Sequence, residues 1–164
     1  MTLETKPAIL ETVKLRPAES QDREALVEMY QTFEPKGASL GLPPRINQDA
    51  WLARLACHFN FVLELEGRLV GHGVLCAEDS SAEVAVFVHQ EYRGAGLGKL
   101  LLARMVEEAR RLGFRRVWGV TELDNLPMLR LAHSLGFHCG DDPSEFSIDL
   151  QKVEDPCGSL TTAA

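Results

Sequence analysis

The run Glu83-Val84-Ala85-Val86-Phe87-Val88, the turn Arg93-Gly94-Ala95-Gly96-Leu97-Gly98 and the apolar-periodic stretch from Leu97 to Leu112 constrain this chain more than any other segment. The β-branched run reads as a strand, the glycines as a turn, and the leucines at helical intervals as the helix that the turn opens. Such a turn suits phosphate, because glycine lets the backbone approach an anion closely. The helix start adds unpaired amide hydrogens and the positive end of its dipole. Two common phosphate-binding patterns do not fit. The Walker pattern needs Gly at Arg93 and Ser or Thr at Leu100, and the dinucleotide fingerprint needs Gly where Lys99 stands.

Elsewhere the chain surrounds this unit with strands and helices. Val13 to Pro17 predicts a first strand, broken at Pro17, after which Ser20 is positioned to cap a helix carrying Ala25, Leu26, Met29, Tyr30 and Phe33. Glu34 to Pro44 is rich in Pro and Gly and reads as a loop, followed by a helix from about Asn47 to His58. Phe61 to Glu66 and Arg68 to Leu75 form a predicted hairpin about Glu66-Gly67, and Ala82 to Val88 adds a third antiparallel strand. After the helix come a strand at Arg115 to Val120, a short helix opened by Asn125, and a terminal strand pair near Phe137 to Cys139 and Phe146 to Leu150. This order predicts an α+β, mixed α/β sheet with helices on its faces.

At 164 residues the chain fits one domain, expected over residues 1–152, with 153–164 as a tail lacking periodicity. A net charge of −7 argues against a nucleic-acid partner, since such proteins concentrate positive charge. No apolar run approaches a membrane span, and the polar start Met1-Thr2-Leu3-Glu4-Thr5-Lys6 is not a secretory signal, so no membrane is expected and the cytoplasm is the default location. Cys57, Cys76, Cys139 and Cys157 lack Cys-x-x-Cys spacing and read as reduced thiols. The five histidines are equally dispersed, and no metal site is predicted.

Two motifs together resemble one family. Arg93-Gly94-Ala95-Gly96-Leu97-Gly98 fits Arg-x-x-Gly-x-Gly, the pyrophosphate loop of the GNAT N-acetyltransferases. About thirty residues on, Asp124-Asn125-Leu126-Pro127-Met128-Leu129-Arg130-Leu131-Ala132-His133-Ser134-Leu135-Gly136-Phe137 is similar to that family's short helix, which an Asn opens and Leu-Gly-Phe ends. The resemblance runs from about Val13 through Leu150. Between Ala82 and Phe137 it is nearest to bacterial protein lysine acetyltransferase domains. It implies the GNAT fold, a central, mostly antiparallel twisted sheet of six to seven strands flanked by about four helices.

The same resemblance implies acetyl-CoA as co-substrate, with no metal, and direct attack by a primary amine in a ternary complex. Val86, Phe87 and Val88 would offer backbone groups to the pantetheine where their strand parts from the next. Gly94, Ala95, Gly96, Leu97 and Gly98 would cradle the pyrophosphate, with Arg93 and Lys99 adding charge, and Asn125 would position the pantetheine or adenosine side or act only as a helix cap. Glu83, ten residues ahead of Arg93, is the candidate base, since an amine with a pKa near 10.4 arrives protonated. Many family members place a Tyr four residues before the Gly of Leu-Gly-Phe; here that position is Ala132. The loop Glu34 to Pro44, bordered by Tyr30, Phe33 and Trp51, is the expected specificity element. Protein lysine is the favoured acceptor; the alternatives are a small-molecule amine or amino acid, or a non-catalytic acyl-CoA-sensing module, in a monomer or homodimer.

Overall fold

The computed structural model describes residues 6–37 and 41–150. The expected tail, 153–164, lies outside the described residues. In chain order the elements are α1 (Lys6–Thr12), β1 (Lys14–Pro17), a 3-10 turn (Ser20–Asp22), α2 (Arg23–Thr32), α3 (Gln48–Leu55), β2 (Phe59–Leu65), β3 (Arg68–Glu78) and β4 (Ser81–Val88). A second 3-10 turn (Gln90–Tyr92) leads to α4 (Leu97–Arg111), β5 (Arg116–Val120), α5 (Leu126–Ser134), β6 (His138–Cys139) and β7 (Glu145–Asp149). All seven strands form one sheet in the order β1-β2-β3-β4-β5-β7-β6. Every neighbouring pair is antiparallel except β4 with β5, which the α4 crossover makes parallel. The mixed α+β fold is the one expected.

Two details at the N-terminal end differ from the sequence reading. A helix, α1, precedes the first strand: its proline sits at the second helical position, where the missing N–H would have no intrahelical partner. Ser20 does not cap α2 directly but begins the 3-10 turn. There the Asp22 carboxylate accepts the Glu19 N–H at 2.7 Å and both guanidinium arms of Arg16 at 2.7 and 2.8 Å. Arg16 also donates to Glu64 at 3.1 and 2.9 Å, so a single guanidinium ties β1 to β2 and to the start of α2. That pairing holds the Asp22 carboxyl below the usual carboxylate range.

The sheet carries a core on each face. Leu97, Leu101, Leu102, Met105 and Ala109 present the buried stripe of α4 to Leu63, Leu75, Ala82, Val84 and Val117. On the other face Leu26, Met29, Tyr30 and Phe33 of α2 and its C-terminal end join Leu52 of α3 against Val62 and Phe87. Alternation along β4 therefore sends Ala82 and Val84 towards α4 and Phe87 towards α2 and α3.

What positions the site is the incomplete pairing of β4 with β5. It covers only Ser81 with Arg116, Ala82 with Val117 and Glu83 with Trp118. Beyond Glu83, β4 stays with β3 as far as Val88, while Gly119 and Val120 stay with β7. The two strands thus part, as expected, and their ends bound a cleft. Among the described residues no helix is long and apolar enough to cross a membrane, and no group of three or more His, Cys, Asp or Glu could hold a metal ion.

Candidate active site

A cavity of about 670 Å³ fills the space between the parted strand ends. Val86, Phe87 and Val88 form one wall and the start of α4 another, with Pro127, Met128 and Leu131 of α5 opposite. Phe33, Pro35, Gly41 and Leu42, from the connection between α2 and α3, line a further side. At Gly41 that connection meets the end of β5. A Cβ added at Gly41 would lie 2.8 Å from the carbonyl oxygen of Val120 at the end of β5, so only glycine seats the chain there.

The glycine turn has the geometry an anion requires. Gly94 and Gly96 adopt φ of 77° and 88°, left-handed values that other residues enter only with strain, and Gly96 is the N-cap of α4. The first intrahelical bond runs from Leu100 N–H to Gly96 O at 3.1 Å, which leaves the amides of Leu97, Gly98 and Lys99 without an intrahelical carbonyl. At Gly98 a Cβ would lie 2.9 Å from Leu131 Cδ1, so the glycine lets that side chain of α5 pack against the start of α4 without shifting. With the exposed Lys99 beside these amides, the turn fits a diphosphate, the anionic part of CoA.

The predicted loop residues do not all face the cavity. Gly94, Gly96, Leu97, Gly98 and Lys99 border it, whereas Ala95 is 8% exposed and packs into the α4-side core, serving as backbone rather than wall. Arg93 borders the cavity, but its guanidinium is turned away from the turn. Nε donates to Val88 O at 2.9 Å, Nη2 donates to Glu34 O at 2.6 Å, and the group lies 5.1 Å from the centre of the Phe33 ring. Asn125 caps α5, accepting the Met128 N–H at 3.3 Å and donating to Thr121 Oγ1 at 2.9 Å while also bordering the cavity.

Glu83 stands apart from the cavity wall, which takes from β4 only Val86 onward. It occupies the last register position shared by β4 and β5, opposite Cys76 on β3 and Trp118 on β5. Half-burial raises its carboxyl above the usual range, and Glu78 adds to the effect. The neighbouring Cys76 thiol is pushed up to about 11, by burial first and then by Glu83, which keeps it protonated at neutral pH and unsuited to carry an acyl group. Ala132 is 1% exposed and faces the core, so it brings nothing to the cavity; among the described residues the hydroxyls in the cavity walls are those of Tyr92 and Thr121. Two carboxylates given no role by the motifs border the cavity from the loop between β5 and α5, Glu122 and Asp124.

Of the aromatic residues flanking the α2–α3 connection, Phe33 lines the cavity while Tyr30 is wholly buried. Tyr30 packs edge-on against Trp51 and Phe87, with ring centres 5.0 and 5.8 Å apart, and forms the floor under the connection.

A sequence profile of the acetyltransferase (GNAT) family matches residues 23–137. An L-methionine sulfoximine/L-methionine sulfone acetyltransferase of Salmonella typhimurium is 44% identical over 57 residues, 35% of this chain and 33% of that protein. A phosphinothricin N-acetyltransferase of Streptomyces viridochromogenes is 28% identical over 136 residues, 76% of this chain and 74% of that protein. An acetyltransferase of Salmonella typhimurium, solved with its cofactor acetyl-CoA, superposes with a TM-score of 0.67 at 27% identity, over 88% of this chain and 96% of that one. With the parted strands and the glycine-capped helix, these matches show that the chain belongs to the GNAT family and is an acetyl-CoA-dependent N-acetyltransferase.

Proposed function

We propose that the acceptor is the free amine of an amino acid or an amino-acid-like small molecule. The observation that carries this reading is that the described ends of the α2–α3 connection border the cleft beside the backbone edge of β4. Phe33, Pro35 and Leu42 line the same cavity of about 670 Å³ as Val86 to Val88 and the glycine turn, so the acceptor has only the part of it that the co-substrate leaves, room for a small molecule. A protein chain presenting lysine calls instead for an open groove along its flanking residues. The names of the Salmonella and Streptomyces relatives, methionine sulfoximine and phosphinothricin acetyltransferases, agree with a small acceptor.

Acetyl-CoA supplies the acyl group as an activated thioester. In this proposal the amides of Leu97, Gly98 and Lys99 hold the diphosphate, and the exposed backbone edge at Val86 to Val88 orients the thioester arm. The α2–α3 connection shields the reacting end from solvent. Glu83 removes the ammonium proton; with the cavity wall starting three residues farther along β4, the proton travels to it through water.

Thiol release from acetyl-CoA, followed over a panel of amino acids, their sulfoximine, sulfone and phosphinate analogues, polyamines and lysine peptides, tests the acceptor class. Amino acids or their analogues are expected to give kcat/KM at least about tenfold above any peptide. A peptide at the head of that ranking would overturn the reading.

A further inference from the structure

Two residues between β4 and the glycine turn reach back to the end of α2. Glu34 N–H donates to Gln90 Oε1 at 2.9 Å, and Gln90 Nε2 donates to Thr32 O at 2.6 Å. Arg93 donates to Glu34 O at 2.6 Å and to Val88 O at 2.9 Å, with its guanidinium carbon 5.1 Å from the centre of the Phe33 ring. Three of these hydrogen bonds, the bond between Thr32 Oγ1 and His89 Nε2 at 3.0 Å and the ring contact therefore stitch Thr32 to Glu34 onto His89 to Arg93. The partners are nearly sixty residues apart in sequence. The segment held in this way runs directly into Pro35, at the cavity wall, and the far end of the same connection rests on Val120 through Gly41.

We infer that Gln90 and Arg93 form a clasp transmitting occupancy of the glycine turn to the α2–α3 connection, so that Arg93 positions the acceptor side of the cavity instead of binding diphosphate. The geometry makes the coupling direct. Arg93 precedes Gly94, so any settling of the turn around an anion displaces the Arg93 backbone, and its side chain carries that displacement to the Glu34 carbonyl. Planarity suits the guanidinium to the task, because its fork reaches two carbonyls at once from a position over an aromatic ring, which a compact ammonium does not do. A guanidinium committed to Val88, Glu34 and Phe33 has left the turn to amides and Lys99. The inference rests on the acetyl-transfer reading only for the ligand that fills the turn; it does not depend on which amine accepts.

Hydrogen exchange of the full chain with and without CoA, combined with calorimetric CoA binding, tests the clasp in Gln90→Ala, Arg93→Lys and Arg93→Gln. In the unaltered protein, saturating CoA is expected to slow exchange in peptides covering Thr32–Gly37 by at least about fivefold. In Arg93→Gln and Gln90→Ala that protection falls below about twofold, Arg93→Lys restores part of it, and the CoA Kd changes by less than about threefold throughout. In the ligand-free protein both clasp variants speed exchange of Thr32–Gly37, a readout that needs no co-substrate. The inference is overturned if Arg93→Gln weakens CoA tenfold or more while loop protection at saturation persists, the signature of a phosphate ligand. It is equally overturned if saturating CoA leaves Thr32–Gly37 unprotected in the unaltered chain. Turnover with lysine peptides alone would sink the acceptor proposal without touching these exchange data.

Discussion

Tyr30 donates its hydroxyl to Nδ1 of His72 across a distance of 2.7 Å, in a part of the α2-side core where both side chains are wholly buried. The donor and acceptor roles follow from the next bond. Asn60 uses its amide nitrogen on the carbonyls of Leu55 and His58, at 2.7 and 2.9 Å, so its oxygen is the acceptor for His72 Nε2 at 2.8 Å. His72 is therefore neutral with its proton on Nε2, and burial pushes its pKa down to about 3. The chain of bonds joins α2, β3, β2 and the end of α3, the helices that frame the α2–α3 connection.

Stability should accordingly depend on pH through His72. The unfolded chain takes up the proton near pH 6.5 while the native chain resists it down to about 3. The contribution is complete above pH 6.5 and declines as pH falls towards 3, with a slope approaching about 1.4 kcal/mol per pH unit. Urea unfolding at pH 7 and pH 5 measures it at values where most carboxylates remain ionised, and a loss of about 2 kcal/mol is expected. Tyr30→Phe, which strands the buried Nδ1 without its donor, should cost about 1–3 kcal/mol at pH 7. A flat profile from pH 7 to 5 would contradict the assignment of His72 as a buried neutral group.

The glycine turn makes a separate prediction about the co-substrate. A valine at position 96 must hold the φ of 88° that the N-cap of α4 requires, a conformation β-branched residues adopt only under strain. Relaxing that strain swings the amides of Leu97 to Lys99 out of line. Gly96→Val is expected to weaken CoA binding at least tenfold, about 1.4 kcal/mol, in calorimetry. The added Cβ meets only Leu10 of α1, at van der Waals distance, so a native-like circular dichroism spectrum should accompany the loss. Unchanged affinity would separate the turn from diphosphate binding.

How far the sequence foretold this site depended on whether the deciding contact is local. The strand, glycine turn and leucine stripe of α4 were legible because Leu97, Leu101 and Met105 recur at the helical period and the glycines serve their own backbone. The Asn125 cap was legible for the same reason, since its partner Met128 is three residues away. Arg93 was not, because its partners Val88 and Glu34 are chosen by the path of the whole chain, and a basic residue beside a glycine turn reads naturally as a phosphate ligand. The Tyr30–His72 bond spans 42 residues. Its one trace is a histidine inside the otherwise apolar run Leu69 to Leu75, every residue of which is buried, as in a strand covered on both faces. Glu83 was correctly placed on β4, yet the register that keeps it out of the cavity wall depends on where β5 stops pairing, which no local pattern encodes.

Glu83 and Glu122 divide the remaining question of proton removal between them, and kinetics can separate the two. Glu83 has the chemistry: half-burial raises its carboxyl, bringing it nearer the range in which a base works at neutral pH. Glu122 has the location, in the wall of the cavity itself. If Glu83 is the base, kcat/KM should rise with pH through an apparent pKa above the ordinary carboxylate value, and Glu83→Gln should abolish that limb. Its rate loss, about 10²–10⁴-fold near pH 7 for a general base, should shrink as pH approaches the amine pKa and free amine accumulates. Acetyl-CoA affinity should move little, since the residue lies outside the cavity wall. Glu122→Gln should instead raise the acceptor KM and leave the pH limb in place. A Glu83→Gln enzyme with normal rates at pH 7, beside a Glu122→Gln enzyme that has lost the limb, would transfer the base to the β5–α5 loop.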